Sequence, residues 1–207
     1  MNEKTDWDKY IYLKSKTLDV FYQSVIKAYF KLMSNIKEPI KSILELGAGS
    51  GKITHELAKK YNIKEITLVD SNKKAIETCK KVFAGRDNVK IIHRDLFDTN
   101  YDLGYDLVHS QGLIEHFDSE KQQELVNIHS NLTRKGGYVI IFVPTPTKMY
   151  NASRKIAEKT GKWIFTDEVP MTKEQLIEIG RKAGLEYIAD AKTKFTFTEA
   201  GVLFKKL

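Results

Sequence analysis

The sequence predicts an α/β fold, a parallel sheet with helices on both faces. Three observations predict it. Strand-like and helix-like runs alternate from residue 42 to about 143, the pattern of parallel strands joined by helical crossovers. The stretch ILELGAGSGKIT, residues 43–54, passes from an apolar strand through a glycine loop directly into a helical pattern. Acids fall near the ends of the first three strand-like runs, at Glu45, Asp70 and Asp95. Ligands of open parallel sheets bind beyond the carboxyl ends of the strands, so these acids are expected to meet at one crevice.

Residues 1–17 are polar, with Trp7, Tyr10 and Tyr12. Leu18, Phe21, Tyr22, Val25, Ile26, Tyr29, Phe30 and Met33 then recur at spacings of three and four, which predicts an amphipathic helix over 18–34. Pro39 punctuates its end. Strand-like runs follow at 42–46, 65–69, 89–93, 106–110 and 137–143, and helical runs at 52–61, 72–84 and 119–132. Arg134 to Gly137 reads as a turn feeding the fifth strand, YVIIFV. Pro144 and Pro146 interrupt the alternation. Residues 147–170 read as a less regular insert with Lys148, Arg154, Lys155, Lys159 and Lys162. Thr172 and Gln175 fit a capping box opening a helix to about Ala183, with Gly184 as its stop. Two further strand-like runs cover roughly 185–190 and 193–204. One domain over 1–207 is the simplest organisation: an N-terminal helical arm at 1–38, a ligand-binding core at 39–144, the basic insert at 145–171, and a C-terminal helix with a strand pair at 172–207.

Composition narrows the class. The chain has 207 residues, 42% hydrophobic and 29% charged, as in an ordinary globular domain. No apolar run approaches the roughly 18 residues needed to span a bilayer. MNEKTDWDKY has no signal-peptide core, so a cytoplasmic protein without a membrane partner is expected. Cys79 is the only cysteine, which excludes an intramolecular disulfide and a cysteine metal cluster; no metal site is assigned. The net charge of +7 is mostly scattered lysine. It reads as a solvated surface before it reads as a nucleic-acid footprint.

The glycine loop has its own chemistry. Glycines at 47, 49 and 51 let the backbone approach a ligand without a side chain in the way. A dinucleotide loop needs G-x-G-x-x-G, whereas the spacing here is G-x-G-x-G, and Glu45 would repel a pyrophosphate. A P-loop fails as well, because Leu46 stands where its first glycine belongs and Ile53 follows Lys52. A carboxylate at Glu45 suits a ligand bearing an ammonium or hydroxyls. Asp70, 19 residues past Gly51, is placed to accept hydrogen bonds from ribose hydroxyls, and Asp95 to meet an adenine amino group. For each acid alone, a turn or helix-cap carboxylate is the plain alternative.

These residues carry a resemblance. ILELGAGSGKIT, LVDSN at 68–72, HRDLFD at 93–98, YDLVHSQGLIEHF at 105–117 and LTRKGGYVIIFVP at 132–144 resemble, in order, the motifs of class I S-adenosylmethionine-dependent methyltransferases of the compact small-molecule type. The likeness covers roughly residues 40–205. It implies a Rossmann-like, seven-stranded, mostly parallel sheet whose last strand is antiparallel, and S-adenosyl-L-methionine as cofactor, leaving S-adenosyl-L-homocysteine. By matching position, it implies that Glu45, Gly47 and Gly49 hold the methionine part and the loop. Asp70 would bind the ribose, Asp95 and Leu96 the adenine, and Ser110 and Gln111 would lie beside the transferring methyl. Ala48, Gly51 and Ser71 complete the cofactor-binding set.

Methyl transfer from a sulfonium needs alignment and, for some acceptors, removal of a proton. His116 is the candidate base, because an unperturbed imidazole titrates near neutrality; a structural histidine is the plain alternative. His55, His93, His109 and His129 are given no role, and Cys79 reads as core. The N-terminal arm, with Trp7, Tyr10, Tyr12 and Tyr22, and the insert, with Tyr150, Trp163 and Phe165, are the candidate lid. Basic residues of the insert would attract an acidic small molecule. The Asn-Pro-Pro-Tyr signature of amino-directed nucleic-acid methyltransferases is absent, since HSQGL stands in its place. A small-molecule acceptor is therefore favoured over a nucleic acid or a protein. A non-catalytic S-adenosylmethionine-binding module would use the same binding residues. Acceptor identity and oligomeric state are not written in these motifs.

Overall fold

The computed structural model describes residues 5–8, 16–98, 102, 104–194 and 198–207, with the backbone alone for 16–19. The expectations for Tyr10 and Tyr12 lie outside the described residues. Helix α1 spans Lys16–Met33, β1 Ser42–Leu46, α2 Lys52–Tyr61, β2 Glu65–Asp70, α3 Lys73–Val82, β3 Val89–His93 and β4 Tyr105–Gln111. A single 3-10 turn, Ile114–His116, leads to α4 at Ser119–Leu132. Then come β5 Thr133–Pro144, α5 Lys148–Lys159, α6 Lys173–Lys182, β6 Leu185–Lys192 and β7 Glu199–Lys206.

The seven strands form one sheet in the order β3-β2-β1-β4-β5-β7-β6. The first five pair in parallel, and β7 runs antiparallel between β5 and β6. The expected sheet is therefore present, antiparallel last strand included. Chain order reverses direction between β1 and β4, and that switch opens a crevice at their carboxyl ends.

Two apolar layers sandwich the sheet. On one face Tyr29 and Leu32 of α1, Leu57 of α2 and Cys79 of α3 pack against Ile43, Leu68 and Phe142. On the other, Leu125 and Val126 of α4 and Leu176 of α6 pack against Leu44, Val108 and Phe204. Central strands are buried on both faces, which is why YVIIFV of β5 reads as a continuous apolar run rather than an alternating one. Gly201 of β7 sits opposite Phe142 of β5, where an added Cβ would lie 2.2 Å from the ring. Cys79 is buried in the core, as its helical setting suggested.

Two local readings change. Residues 134–137 are bulged out of a strand that already begins at Thr133, since the register jumps from Tyr105↔Thr133 to Leu107↔Tyr138. Gly136 has φ +75° there, and Arg134 on the bulge pairs with Asp106. The insert is more regular than its sequence suggested. Residues 148–159 form α5, whose first turn is capped by the Thr147 hydroxyl accepting from the Tyr150 amide. Only Tyr150 of that helix is buried, so the apolar periodicity is too thin to announce a helix. The capping box at Thr172 and Gln175 is present, and Gly184 takes φ +75° at the stop. No helix among the described residues is long and apolar enough to cross a membrane.

Candidate cofactor and acceptor site

The crevice begins with the glycine loop. Gly47, Gly49 and Gly51 have φ +65°, +54° and +68°. Two of them matter for different reasons. A Cβ on Gly51 would press into Phe83, Leu68 and Cys79, whereas a Cβ on Gly49 would meet nothing within 4 Å. Gly51 is thus fixed by packing, and Gly49 offers bare backbone to open space. The loop is held by short amide contacts, Ala48 N–H to the Val69 carbonyl at 3.0 Å and Gly51 N–H to the Ala48 carbonyl at 2.7 Å.

Asp70 fastens this loop to the next one. One carboxylate oxygen accepts from the Gly49 amide and the other from the Asn72 amide, each at 2.8 Å. Burial raises its pKa above the ordinary value while those amides oppose the shift. Ser71 is exposed beside it, and its carbonyl is bonded to His93 at 3.0 Å. Asp95 is exposed and accepts from the Phe97 amide at 2.9 Å, while Leu96 is buried in the core layer facing α4. Asp70, Asp95 and the loop thus lie at the ends of neighbouring strands, as the crevice rule requires.

Glu45 is deeply placed, at 3% exposure. The Thr54 hydroxyl of α2 donates to it at 2.7 Å and pairs with His109 Nε2 at 2.8 Å. His109 Nδ1 in turn lies 3.1 Å from the Tyr29 hydroxyl. Burial pushes Glu45 up to about 8 and His109 down to about 3. A neutral His109 donating from Nε2 to the Thr54 oxygen satisfies every member of this chain. Tyr22 of α1 sits close enough to interact with Glu45, and its buried hydroxyl has no hydrogen-bond partner.

The end of β4 departs from expectation at one residue. Ser110 is fully buried, its hydroxyl 2.9 Å from His129 Nε2 on the α4 side. Its side chain is therefore turned from the crevice, and only its backbone lies at the strand end. Gln111 donates to Glu199 at 2.6 Å.

Beyond Gln111 lies a cluster the sequence motifs did not announce. Glu115, His116, Asp167, Glu168 and Glu199 converge where the ends of β4 and β5 meet the start of β7. His116 Nδ1 is 2.8 Å from Asp167, and Nε2 is 3.7 Å from Glu115. Burial lowers the His116 pKa, with Asp167 partly opposing, so the ring is neutral at pH 7 and donates from Nδ1. Burial raises Glu115 well above the carboxylate range, Glu168 to about 7 and Glu199 to about 8. Asp167 is pushed up by burial, but bonds from Thr5 and His116 hold it below its ordinary value. Tyr150 donates to Glu168. Glu115 Oε2, Thr145 Oγ1 and Glu199 Oε2 are buried without a partner, and such orphans are few in folded proteins and mark places that need explaining.

Residues 5–8 cross this end of the crevice. Thr5 donates twice to Asp167, and the Trp7 ring meets His116 edge-on at 4.7 Å. Asp8 reaches the other rim, pairing with Lys74 at 2.7 Å and with Asn72 at 2.8 Å. The insert's lysines do not line the site: Lys148, Lys155, Lys159 and Lys162 are exposed. Of the insert's basic residues only Arg154 reaches the cluster, donating to the Glu168 carbonyl at 3.0 Å, so the lysines give no support to an acidic acceptor. A separate concavity bordered by Ser42, Glu65, Asn88 and Tyr105 opens at the amino ends of β1 to β4, the opposite end of the strands from the glycine loop.

Of the overlooked residues, Glu115 was legible beside His116 in LIEHF. Asp167 and Glu168 had no spacing signal, and Glu199 reaches the site only through the β5–β7 pairing.

Strand order, left-handed glycine loop and strand-end acids together define the class I methyltransferase fold. Residues 43–137 match the family model described as a methyltransferase domain. Over 89 residues it is 34% identical to the malonyl-[acyl-carrier protein] O-methyltransferase of Priestia megaterium, covering 43% of this chain and 32% of that protein. The chain spans a quarter to about a third of the length of the curated relatives it matches. A chain of the complex between the Haloferax volcanii Trm112 methyltransferase activator and a methyltransferase superposes with TM-score 0.76 at 13% identity, over 98% of both chains. Magnesium protoporphyrin IX methyltransferase from Synechocystis PCC 6803, solved with bound S-adenosylhomocysteine, superposes with TM-score 0.75 at 15% identity, over 98% of this chain and 94% of that one.

Proposed function

We propose that this chain transfers a methyl group from S-adenosylmethionine to a small-molecule acceptor held at the Glu115–His116 end of the crevice. The observation that carries the reading is Gly49, a left-handed glycine with open space at its Cβ position and its amide fixed by Asp70. That is a cradle for close backbone approach. The donor set fits the cofactor: Asp70 and Ser71 for the ribose, Asp95 and Leu96 for the adenine, and Glu45 with Gly47, Ala48, Gly49 and Gly51 for the methionine end. The cofactor supplies an electrophilic methyl on a sulfonium, which needs no covalent help from the protein.

The chain's own residues then align and deprotonate. Gln111, fixed by Glu199, borders the acceptor end. The Asp167–His116 pair presents an unprotonated Nε2 able to take a proton from the acceptor. Residues 5–8, bridging Asp167 and Lys74, form a strap that excludes water, with Trp7 over His116. The arm at 1–38 and the insert at 145–171 belong to the same single domain as the core at 39–144.

A second reading, an acceptor carried on a protein, is favoured by the outer face of α5. Met149 and Ile156 are 50% and 64% exposed there, among Lys148, Lys155 and Lys159. Nucleic acid has no comparable feature in its favour.

Calorimetric titration with S-adenosylmethionine and S-adenosylhomocysteine, with NAD as control, tests the cofactor. Micromolar binding of the first two alone is expected; binding of neither by folded protein overturns the reading. Cofactor binding without turnover on any acceptor would leave the non-catalytic module.

A further inference from the structure

We propose that Glu115, His116 and Glu168 form a binding site for one divalent transition-metal cation at the acceptor end of the crevice. One ligand atom from each lies within 4.8 Å of the others. Ligands held about 2.0–2.2 Å from a metal sit roughly 3–4 Å apart, so rotamer-scale adjustment closes the set. An acidic cluster alone would not carry this. The second observation is Glu115 Oε2, buried at 1% residue exposure and lacking any hydrogen-bond donor.

Histidine geometry points the same way. Asp167 occupies Nδ1 at 2.8 Å, which fixes the tautomer and leaves the Nε2 lone pair on the side of Glu115. A carboxylate behind an imidazole is how metal-binding histidines are oriented. Tyr150 restrains Glu168 through Oε1, leaving its second oxygen to coordinate. Two carboxylates balance a dication's charge inside an otherwise buried site. One imidazole with two carboxylates suits manganese, iron, cobalt or zinc. Calcium would demand six to eight oxygens. Three protein ligands leave a position for water or an acceptor oxygen, as in open catalytic sites. In the metal-loaded chain His116 is a ligand, and the cation rather than the free imidazole acidifies the acceptor.

The test is titration of EDTA-stripped full chain with MnCl2 and ZnCl2, and with MgCl2 and CaCl2 for comparison, read by calorimetry and by loss of the free Mn2+ electron-resonance signal. One saturable equivalent of Mn2+ or Zn2+ is expected, at least tenfold tighter than Mg2+. Glu115→Gln and Glu168→Gln should each weaken it at least tenfold, and Asp167→Asn roughly tenfold. His116→Ala is read the same way if either glutamate variant fails to fold. No saturable binding, or binding unchanged in these variants, overturns the site, as does binding of an alkylammonium such as tetramethylammonium with no metal bound. S-adenosylhomocysteine titration of the same preparations keeps the two readings apart. Metal bound without S-adenosylhomocysteine would sink the cofactor assignment and leave the cation site standing.

Discussion

Single residues decide the electrostatics of this crevice. Glu45 carries a carboxyl near pKa 8 against an ordinary 4.5, because burial outweighs the Thr54 hydrogen bond. Groups facing it are Tyr22 and Tyr29 of α1, Thr54 of α2, Asp70 and Cys79 of α3, with His109 joined to it through the Thr54 hydroxyl. A raised pKa means that the folded state holds the proton longer than the unfolded state. The stability it contributes is full below about pH 4.5 and lost as pH rises through about 8. The melting temperature of the ligand-free chain should therefore fall between pH 5 and 9, and Glu45→Gln should flatten that slope. An unchanged slope would mean that Glu45 is ionised when buried. Asp70→Ala removes the clasp between Gly49 and Asn72 and should weaken S-adenosylhomocysteine binding by roughly 1–3 kcal/mol, measured calorimetrically. His116→Gln should cut turnover and leave that affinity unchanged; normal turnover would return His116 to a structural role.

At the scale of elements, the site depends on how β5 and β7 lie together. Gly201 faces Phe142 across that pair, and Phe142 stacks on Tyr29 of α1 at 4.4 Å between ring centroids. Gly201→Ala forces a fully buried ring to move, and overpacking of this kind costs roughly 1–3 kcal/mol. For a chain of this size each kcal/mol lowers the melting temperature by roughly 2–4 °C, which thermal denaturation can read. The same pairing sets Glu199 against Pro144, so disturbance there should reach the Gln111–Glu199 contact before it reaches the glycine loop. The turn at 134–137 is a related case. Its glycines announced a turn, but the strand hydrogen bonds resume on both sides, leaving a bulge held by Arg134 and Asp106.

Across the whole molecule, the N-terminal strap joins two rims that the sheet alone leaves apart. Thr5 and Trp7 lie on the Asp167–His116 side, and Asp8 lies on Asn72 and Lys74 beside Asp70. His116 has only 5% of its side chain exposed in this arrangement. Trp7→Ala should open it, seen as faster modification of His116 by diethyl pyrocarbonate and reduced turnover. Unchanged modification would show that Trp7 does not shield the site.

The sequence by itself determined the alternation of elements, the glycine loop, the three strand-end acids and the capping box at Thr172. Each is a local pattern, because periodicity, positive φ and caps act over a few neighbouring residues. It also brought His116 into view, though not its partner. Tertiary structure alone decided that Ser110 turns toward His129, that the insert's lysines point outward, and that acids surround the acceptor end. Residues 115, 168 and 199 are distant in sequence, and no local pattern links them. They meet because β7 inserts between β5 and β6 while the segment after α5 folds back beneath the 3-10 turn, where the Val169 amide bonds the Glu115 carbonyl at 2.9 Å.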